Sequence, residues 1–519
     1  MENRISTDNR IKSNAEELYA YISNHKVSVL SVWIFAILVY GAWCAQNIVT
    51  FDAEGLYNPD DGSYVFWYQL GRWSLVLFKD IFNVTKINPY FQITLFGLLF
   101  PVSVVLWWFC FYRWNRNTGF KPGLVVFSGI YLTHPIWALQ FSYRNQMEAI
   151  AFLMCLLPLA LILVTDRSPK GRVCRIVISA VLAIICFGGY QSFMFMYGEG
   201  VILYLLFRLY YDYTDSKKKD FWKEVLFLTG FTAACFVANS VISRVMCSVN
   251  GIEYGTSYLE GQFHWGSYPL SENLRVIGEY LFNAMIANNV IYNCLGIIEV
   301  AAGVILICFA FRGRVRARIL GLLLFIASWM TPFALLFVTA SAPVQRSQFA
   351  FVLTIAFWGA VETGALSKAL IKKNMTDAKV LVIAVILIAM IFPQMQNNTR
   401  LLYTEYMTMY TDEIQLWTIY YQALSKGANE GYPIVFVGGK ANYVTGAMDE
   451  EEVIGYSYFE FNAIYSGQKI IEAMRAYGMN VSFPTEEQRA FANEVAGSMD
   501  SWPHEGGIVV RDGLIIVKM

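Results

Sequence analysis

The sequence predicts an α-helical polytopic membrane protein with about eleven transmembrane helices, followed by a small α/β domain. Three observations support this fold class. Hydrophobic residues make up 56% of the 519 residues and charged residues only 15%, whereas soluble proteins carry about 25% charged residues. Apolar runs long enough to cross a bilayer recur along the chain. Lysine and arginine collect in every second connection between these runs.

The apolar runs predict the individual helices. A helix that crosses the hydrocarbon core needs about 20 residues. Runs near that length cover residues 27–49, 89–112, 122–140, 147–165, 173–190, 193–211, 225–242, 291–311, 319–340, 349–366 and 380–393. The run 122–140 is the weakest because His134 and Pro135 interrupt it, but we include it among the predicted helices.

The basic residues predict which side of the membrane each connection occupies, since cytoplasmic loops carry an excess of lysine and arginine. The N-terminal segment is basic, and so is every second loop after it: residues 113–121, 167–175, 217–223, 312–318 and 368–379. The short loops between them hold almost no basic residue except Arg144 and Arg346. We therefore predict a cytoplasmic N-terminus and an extracytoplasmic C-terminal domain.

This topology divides the chain into three parts. Residues 1–26 form a cytoplasmic segment, residues 27–395 the transmembrane domain with external loops 47–88 and 244–289, and residues 396–519 an α/β domain, called the tail below. In the tail, residues 398–423 and 468–478 have helical patterns, and residues 433–439 are typical of a buried strand. Residues 507–517 predict a hairpin, because Asp512-Gly513 is a turn pair between two β-rich runs.

Charge and cysteine content argue against several function classes. The formal net charge is +0, so the chain lacks the basic excess of a nucleic-acid-binding protein. The nine cysteines form no C-x-x-C pair, so they predict neither a metal site nor a redox centre.

Acidic residues cluster directly after the first predicted helix. Asp52, Glu54, Asp60 and Asp61 fall within ten residues. Asp52 and Glu54 lie nearest the helix end and are our candidates for catalysis. In an extended segment these two would point to opposite sides, so we expect one of them to do the chemistry and prefer Asp52. Asp60 and Asp61 occupy a turn-like sequence; they are candidates for catalysis or metal binding, and a solvated turn explains them equally well.

Residues 65–83 predict an amphipathic helix that lies in the headgroup plane. Its apolar stripe comprises Phe66, Leu70, Trp73, Leu77 and Ile81. Polar residues, among them Arg72 and Lys79, fall on another face. We expect Arg72 to meet a lipid phosphate; the alternative is that this helix only anchors the loop.

Further polar residues lie at the same predicted outer face. Arg144 and Arg346 each occupy a short outer loop, and together with Arg72 they are the candidates for binding a lipid phosphate. Polar and charged groups at a membrane boundary are costly and are therefore functional-site candidates. The candidates for binding the rest of a substrate are His134, Tyr143, Tyr190 and Gln191. Each residue alone also fits a structural role, so the argument depends on their common side.

This combination resembles the GT-C glycosyltransferase superfamily, in which an acidic motif follows the first helix of a multi-helix membrane protein. Within it, Gly71-Arg72-Trp73, Tyr143-Arg144 and Tyr190-Gln191 look like the Gtr-type glucosyltransferases that modify surface polysaccharides such as O-antigen. The resemblance covers about residues 27–365 and leaves out the tail.

The resemblance implies an enzyme of the bacterial plasma membrane that transfers a sugar, with glucose expected, from a polyprenyl-phosphate carrier to a cell-surface polysaccharide. It implies no cofactor and no direct use of a nucleotide sugar. The expected partners are the lipid donor, the polysaccharide acceptor and the bilayer, with a donor-making glycosyltransferase and a flippase as further candidates. No nucleic acid is expected.

The chemistry of such a transfer agrees with the residues independently of the family. The acceptor hydroxyl must lose a proton, and a positioned carboxylate is the natural general base. The departing phosphate gains charge, which arginine side chains stabilise through paired hydrogen bonds. A phosphomonoester leaves without an obligatory metal, so we predict no metal, although Asp60 and Asp61 leave that question open.

Other functions also suit a chain with many spans. A lipid-linked sugar flippase or transporter often has two related halves with broken helices at mid-membrane. This sequence shows no such repeat, and its polar residues collect at the outer face. A polysaccharide polymerase or ligase would share the outer site, but the acidic motif directly after the first helix favours the transferase.

Overall fold

The computed structural model describes residues 14–59, 63–116, 123–169, 171–255, 261–287, 289–293, 295–372, 376–440, 452–460 and 467–519. Asp60 and Asp61 lie outside these residues, so the role predicted for that pair stays a prediction.

Most of the described chain is helical. Up to residue 372 the helices are α1 (Asn14–Asn24), α2 (Lys26–Cys44), α3 (Val65–Gln69), α4 (Trp73–Ile81), α5 (Pro89–Trp114), α6 (Gly123–Thr133), α7 (Ile136–Phe141), α8 (Met147–Thr165), α9 (Arg172–Phe187), α10 (Ser192–Asp212), α11 (Lys218–Val249), α12 (Leu270–Met285), α13 (Leu295–Ala310), α14 (Val315–Met330), α15 (Ala334–Thr339) and α16 (Phe349–Lys372). Their shared core is rich in aromatic side chains, and Trp107, Tyr131 and Trp137 are fully buried in it.

Each predicted transmembrane run coincides with a helix or a pair of helices, but the count of eleven is not confirmed. Among the described residues, seven helical segments are long and apolar enough to cross a membrane: Lys26–Cys44, Pro89–Trp114, Arg144–Thr165, Ser192–Asp212, Lys218–Val249, Val315–Thr339 and Phe349–Ala369. Gly123–Thr133 and Gly296–Ala310 are shorter apolar helices. The chain is therefore a membrane protein with several spanning helices.

The weakest predicted run, residues 122–140, is divided into two helices. α6 ends at Thr133 and α7 begins after Pro135. Proline disfavours the helical conformation in the residue before it and has no N–H to donate. The pair His134-Pro135 therefore ends α6 and leaves it shorter than the length that spans a bilayer.

The amphipathic segment 65–83 is also divided, so the single continuous helix predicted there is wrong. α3 and α4 meet at Gly71, whose φ of 71° is strained for residues with a Cβ. Phe66 and Ile81 are exposed, as a helix in the headgroup plane requires, whereas Leu70 and Trp73 are buried. The turn at Gly71 thus directs part of the predicted apolar stripe into the protein.

Lys79, which the spacing assigned to the polar face, is buried. Its ammonium group forms an ion pair with Glu148 at the start of α8, and both side chains are 0% exposed. Gln92 of α5 donates a hydrogen bond of 3.2 Å to the same carboxylate oxygen. A buried charge is tolerated only when it is paired and hydrogen-bonded, so this cluster fixes α4 against α5 and α8.

One long helix joins the membrane part to the tail. α17 (Thr376–Ser425) has 50 residues and runs through the domain boundary predicted at residue 395. Leu416 and Ile419, near its C-terminal end, pack in the core of the tail together with Ile48 and Phe51. The last two residues belong to the segment 45–59, called the acidic loop below. The acidic loop is therefore packed directly against the tail.

The tail contains a three-stranded sheet in the order β1-β3-β2, with β1 (Ile434–Val437), β2 (Ile508–Arg511) and β3 (Leu514–Lys518). β1 is parallel to β3, while β2 and β3 form the predicted hairpin with Asp512 and Gly513 at positive φ. The helix α18 (Gln468–Ala476) was also predicted. A further helix, α19 (Glu486–Ala496), was not predicted, although Thr485 and Gln488 form a capping box at its N-terminus.

Candidate active site

A cavity of about 770 Å³ lies between the acidic loop, the α3–α4 segment and the tail. Five of the predicted site residues line it: Asp52, Glu54, Arg72, Tyr143 and Arg346. The remaining wall is apolar on the side of α3, where it includes Phe66, Trp67 and Leu70, and polar on the side of α18.

Asp52 and Glu54 meet at one lysine of the tail. The ammonium group of Lys469 donates to Asp52 Oδ1 at 2.5 Å and to Glu54 Oε1 at 2.8 Å. Asp52 has a φ of 63°, and Glu54 begins the 3-10 turn Glu54–Tyr57. The segment is therefore not extended, and the expectation that these two side chains point to opposite sides is wrong.

The two carboxylates differ in their access to the cavity. The side chain of Asp52 is 51% exposed and that of Glu54 only 1%. Burial raises the pKa of Glu54 to about 7, although the neighbouring Lys469 acts in the opposite direction. The Tyr458 hydroxyl lies 3.5 Å from the second carboxylate oxygen of Glu54. Asp52 is thus the carboxylate that a ligand in the cavity can reach, and Glu54 lies behind it.

A hydrogen bond holds the unusual backbone of Asp52. The side chain of Asn145, next to Arg144, donates to the backbone carbonyl of Asp52 at 2.8 Å. A left-handed conformation costs a non-glycine residue on the order of 1 kcal/mol or more. Such residues collect at functional sites, where the surrounding structure maintains them. Here the conformation brings the Asp52 carboxylate to Lys469 and the cavity.

The motif Gly71-Arg72-Trp73 forms the turn between α3 and α4. Trp73 Nε1 donates a hydrogen bond of 2.9 Å to the side chain of Asn239, which attaches the turn to α11. The Arg72 guanidinium lies 4.6 Å from the centre of the Tyr190 ring. Its Nε is buried without a hydrogen-bond partner in the described part of the chain. Arg72 is therefore a cation that can still bind an anionic ligand.

Tyr190 and Gln191 support Arg72 and do not themselves line the cavity. The Tyr190 ring stacks on Phe349, with 5.3 Å between the ring centres. The Gln191 side chain donates to the backbone carbonyl of Leu70 in the same turn. The structure therefore places both residues around Arg72, and direct contact with a substrate stays a prediction.

Arg346 is held by the tail. Glu452 accepts hydrogen bonds from its guanidinium and, at 3.0 Å, from its backbone N–H. The guanidinium lies 4.5 Å from the centre of the Tyr143 ring. A guanidinium has five N–H donors, so the ion pair with Glu452 orients Arg346 while donors remain for a ligand in the cavity.

Arg144 lies outside the cavity wall, although the sequence grouped it with Arg72 and Arg346. It donates to the backbone carbonyls of Trp43 and Gln46 at 3.1 and 2.8 Å, and it lies 4.3 Å from the centre of the Trp43 ring. The last carbonyls of a helix lack partners within it and attract a cation. Arg144 thus secures the end of α2, and the phosphate contact expected of it stays a prediction.

His134 also lies away from the cavity. It is 1% exposed, and its ring packs edge-on against Phe351. Its backbone carbonyl accepts a hydrogen bond of 2.9 Å from Asn398 of α17. His134 therefore connects the end of α6 to α17. The structure offers no support for a substrate contact by His134.

Three charged residues of the cavity were missed in the sequence: Lys469, Glu472 and Arg475, all on α18. Their helical spacing is visible in the sequence, but a charged helix face usually indicates a solvated surface. What reveals their role is the close approach of α18 to the acidic loop. A side chain at Gly55 would come within 3.4 Å of the Glu472 carboxylate.

The cavity offers groups for an anion and for a hydroxyl. Arg72 and Arg346 can bind a phosphate, and Asp52 can accept a proton. Among the described residues, no group of three or more His, Cys, Asp or Glu side chains is placed to hold a metal ion. Asp60 and Asp61 lie outside those residues.

Comparison with known proteins relates this arrangement to a family. No curated protein matches the chain. The family model described as Glucosyl transferase GtrII matches residues 41–361, which is more than half of the 519 residues. The match includes Asp52, Glu54, Arg72 and Arg346 but ends before α17 and the tail. The chain therefore belongs to the GtrII family of glucosyl transferases.

Proposed function

We propose that this membrane glucosyltransferase has a GT-C-type site and moves glucose from a polyprenyl-phosphate carrier to a hydroxyl group of a cell-surface polysaccharide. The reaction takes place at the outer face of the bacterial plasma membrane. One observation carries the proposal: the half-exposed carboxylate of Asp52 shares a cavity with Arg72 and Arg346. The acceptor hydroxyl requires a base, which Asp52 supplies, and the departing phosphate requires cations, which Arg72 and Arg346 supply.

The transfer is a substitution at the anomeric carbon of the donor. The acceptor oxygen forms a bond to that carbon, while the bond from the carbon to the phosphate oxygen breaks and its electron pair leaves with polyprenyl phosphate. Asp52 takes the proton of the acceptor hydroxyl. Arg72 and Arg346 stabilise the additional negative charge on the departing phosphate.

The apolar wall supports a lipid donor. Phe66 lines the cavity and is 56% exposed, so the cavity borders an apolar outer surface. On α4, Leu77 and Ile81 are exposed as well. Exposed apolar side chains on short helices suit a position at the membrane surface, from which a polyprenyl chain can reach the arginines sideways.

The polar wall suits the acceptor. Gln468, Glu472 and Arg475 of α18 face the cavity from the tail, and a polysaccharide offers hydroxyl groups to such side chains. On this proposal the protein needs no cofactor. A separate glycosyltransferase makes the lipid-linked donor and a flippase brings it to the outer face.

The donor can be tested directly. The purified protein in lipid vesicles receives surface polysaccharide and either polyprenyl-phosphate [¹⁴C]glucose or UDP-[¹⁴C]glucose. We expect label in the polysaccharide, with equimolar release of polyprenyl phosphate, from the lipid donor alone. Transfer from UDP-glucose alone would show that the proposed donor is wrong. Transport of the labelled lipid across the vesicle membrane without any transfer would favour a flippase.

The proposed site requires the tail at the outer face, and a cysteine-labelling experiment tests this. Ser501 is exposed in the tail, and Ser501→Cys changes its size little. We expect an impermeant maleimide to label this cysteine in intact spheroplasts, because the alternation of basic loops places the tail outside. Native Cys174 is exposed at the start of the basic helix α9 and serves as the internal control. It is expected to react only after lysis; the reverse pattern would invert the topology.

A further inference from the structure

The matched family segment ends at residue 361, yet the tail supplies part of the cavity wall. α18 is held there by its buried face, which includes Ile470, Ile471 and Met474. On its other face, Lys469 reaches the acidic loop. The most direct contact between the tail and the proposed base is therefore made by one lysine.

The charged groups of Lys469, Asp52 and Glu54 lie close together. Lys469 Nζ lies 2.5 Å from Asp52 Oδ1 and 2.8 Å from Glu54 Oε1. The Lys469 side chain is 15% exposed and that of Glu54 1%, so water screens their attraction little. One positive charge faces two carboxylates, which leaves the group with an excess negative charge when all three are ionised.

This arrangement separates the roles of the two carboxylates. A carboxylate as buried as Glu54 is stable in its charged form only beside a cation. Asp52 is half exposed, so its carboxylate depends less on Lys469 for solvation. The Lys469 ammonium group donates a hydrogen bond to each of the two carboxylates, so neither carboxylate holds it alone.

We propose that Lys469 is a positioning residue of the glucosyl transfer, which pairs with Glu54 and directs the Asp52 carboxylate towards the acceptor hydroxyl. The tail is then part of the active site and not only an accessory domain. This inference rests on the proposed function, because it takes Asp52 as the base.

Other charged and titratable groups surround Lys469, Asp52 and Glu54. Tyr458 lies beside Glu54, and Tyr143 is close enough to Asp52 for the aspartate to raise its pKa, although burial is the larger cause. The remaining cavity-lining charges are Arg72, Arg346, Glu472 and Arg475. The two carboxylates are nearest Lys469, and its loss therefore acts first on them.

The sign of the pH effect follows from these charges. Burial alone lowers the pKa of Lys469, but Glu54 and Asp52 raise it above its usual range, so Lys469 stays charged throughout the working range. Lys469 lowers the pKa of Glu54 against the effect of burial, so removal of this cation raises the pKa of Glu54. Activity that depends on the Glu54 charge is then lost at a higher pH than in the wild type.

The experiment compares Lys469→Gln and Lys469→Arg with the wild type by kcat and KM across pH. We expect Lys469→Gln to lower kcat about tenfold or more, which is part of the roughly 10²–10⁴-fold contribution of a general base. The acidic limb of its kcat profile is expected to move up by about one to three pH units. Lys469→Arg keeps the positive charge and is expected to have the pH profile of the wild type. KM for the lipid donor is expected to change little.

Two further variants guard against simple misfolding. Glu54→Gln combined with Lys469→Gln removes both charges of the pair, and we expect it to transfer faster than Lys469→Gln alone because no unpaired buried carboxylate remains. Lys440→Gln, in the tail but not in the cavity wall, is the matched control and is expected to behave as the wild type. An unshifted pH profile in a folded Lys469→Gln protein, while the wild type transfers glucose normally, would overturn the inference. Absence of transfer in the wild type would instead overturn the proposed function.

Discussion

Asp52→Asn is expected to lower glucosyl transfer by roughly 10²–10⁴-fold, the usual contribution of a general base. Asparagine has the shape of aspartate but far too little affinity for a proton. The fold is expected to survive, since asparagine also tolerates the left-handed φ of 63° at this position. The hydrogen bond from Asn145 is expected to survive too, because it ends on the backbone carbonyl and not on the carboxylate.

The measurement is kcat with the lipid donor, alongside donor binding and thermal stability. Asp80→Asn is the matched control, because Asp80 is exposed on α4 and does not line the cavity. Glu54→Gln is measured as well, because Lys469 then pairs with Asp52 alone. If Asp52→Asn and Glu54→Gln both turn over normally, the base lies at Asp60 or Asp61, or this loop takes no part in the chemistry.

Arg72→Lys and Arg346→Lys are each expected to lower kcat by about 10²-fold, as the loss of one donor to a transition-state anion does elsewhere. Lysine keeps the positive charge but lacks the planar fork that binds two phosphate oxygens at once. The structure adds a second reason. Both guanidinium groups lie over tyrosine rings, Tyr190 and Tyr143, and an ammonium group on a flexible stem does not stack in this way.

The control for these variants is Arg275→Lys, since Arg275 is 59% exposed and pairs with Glu272 and Glu279 on its own helix. Arg144→Lys provides a contrast: we expect lower thermal stability with little change in donor KM, because Arg144 binds the end of α2. Wild-type kcat in both the Arg72 and Arg346 variants would remove the phosphate clamp from the proposal.

Much of the fold could be predicted because its causes are local. A bilayer imposes a length on every apolar run, so the runs in the sequence coincide with helices of the structure. Asp512-Gly513 adopts the positive φ values that close a hairpin. The predictions failed where one residue interrupts a pattern: Gly71 divides the amphipathic segment, and Pro135 ends the helix before it.

The candidate site could be predicted only in part. The sequence by itself pointed to Asp52, Glu54, Arg72, Tyr143 and Arg346, because charged and polar groups at a membrane boundary are rare and stand out. It could not separate Arg144 from the other two arginines. All three have the same residue type and predicted side, and only their partners in the fold distinguish a helix-end contact from a cavity wall.

The sequence thus determined the helical membrane fold, the hairpin of the tail and the loops that carry the charges. The tertiary structure alone decided which charges meet. Lys469 and Glu54 are 415 residues apart in the chain, and Arg346 and Glu452 are 106 apart. Apolar periodicity and turn chemistry act over a few residues and are visible in any short window. The partner of a buried charge is set by the packing of the whole chain, since a Coulomb attraction of this kind acts over a few ångströms of space, however far apart the residues are in sequence.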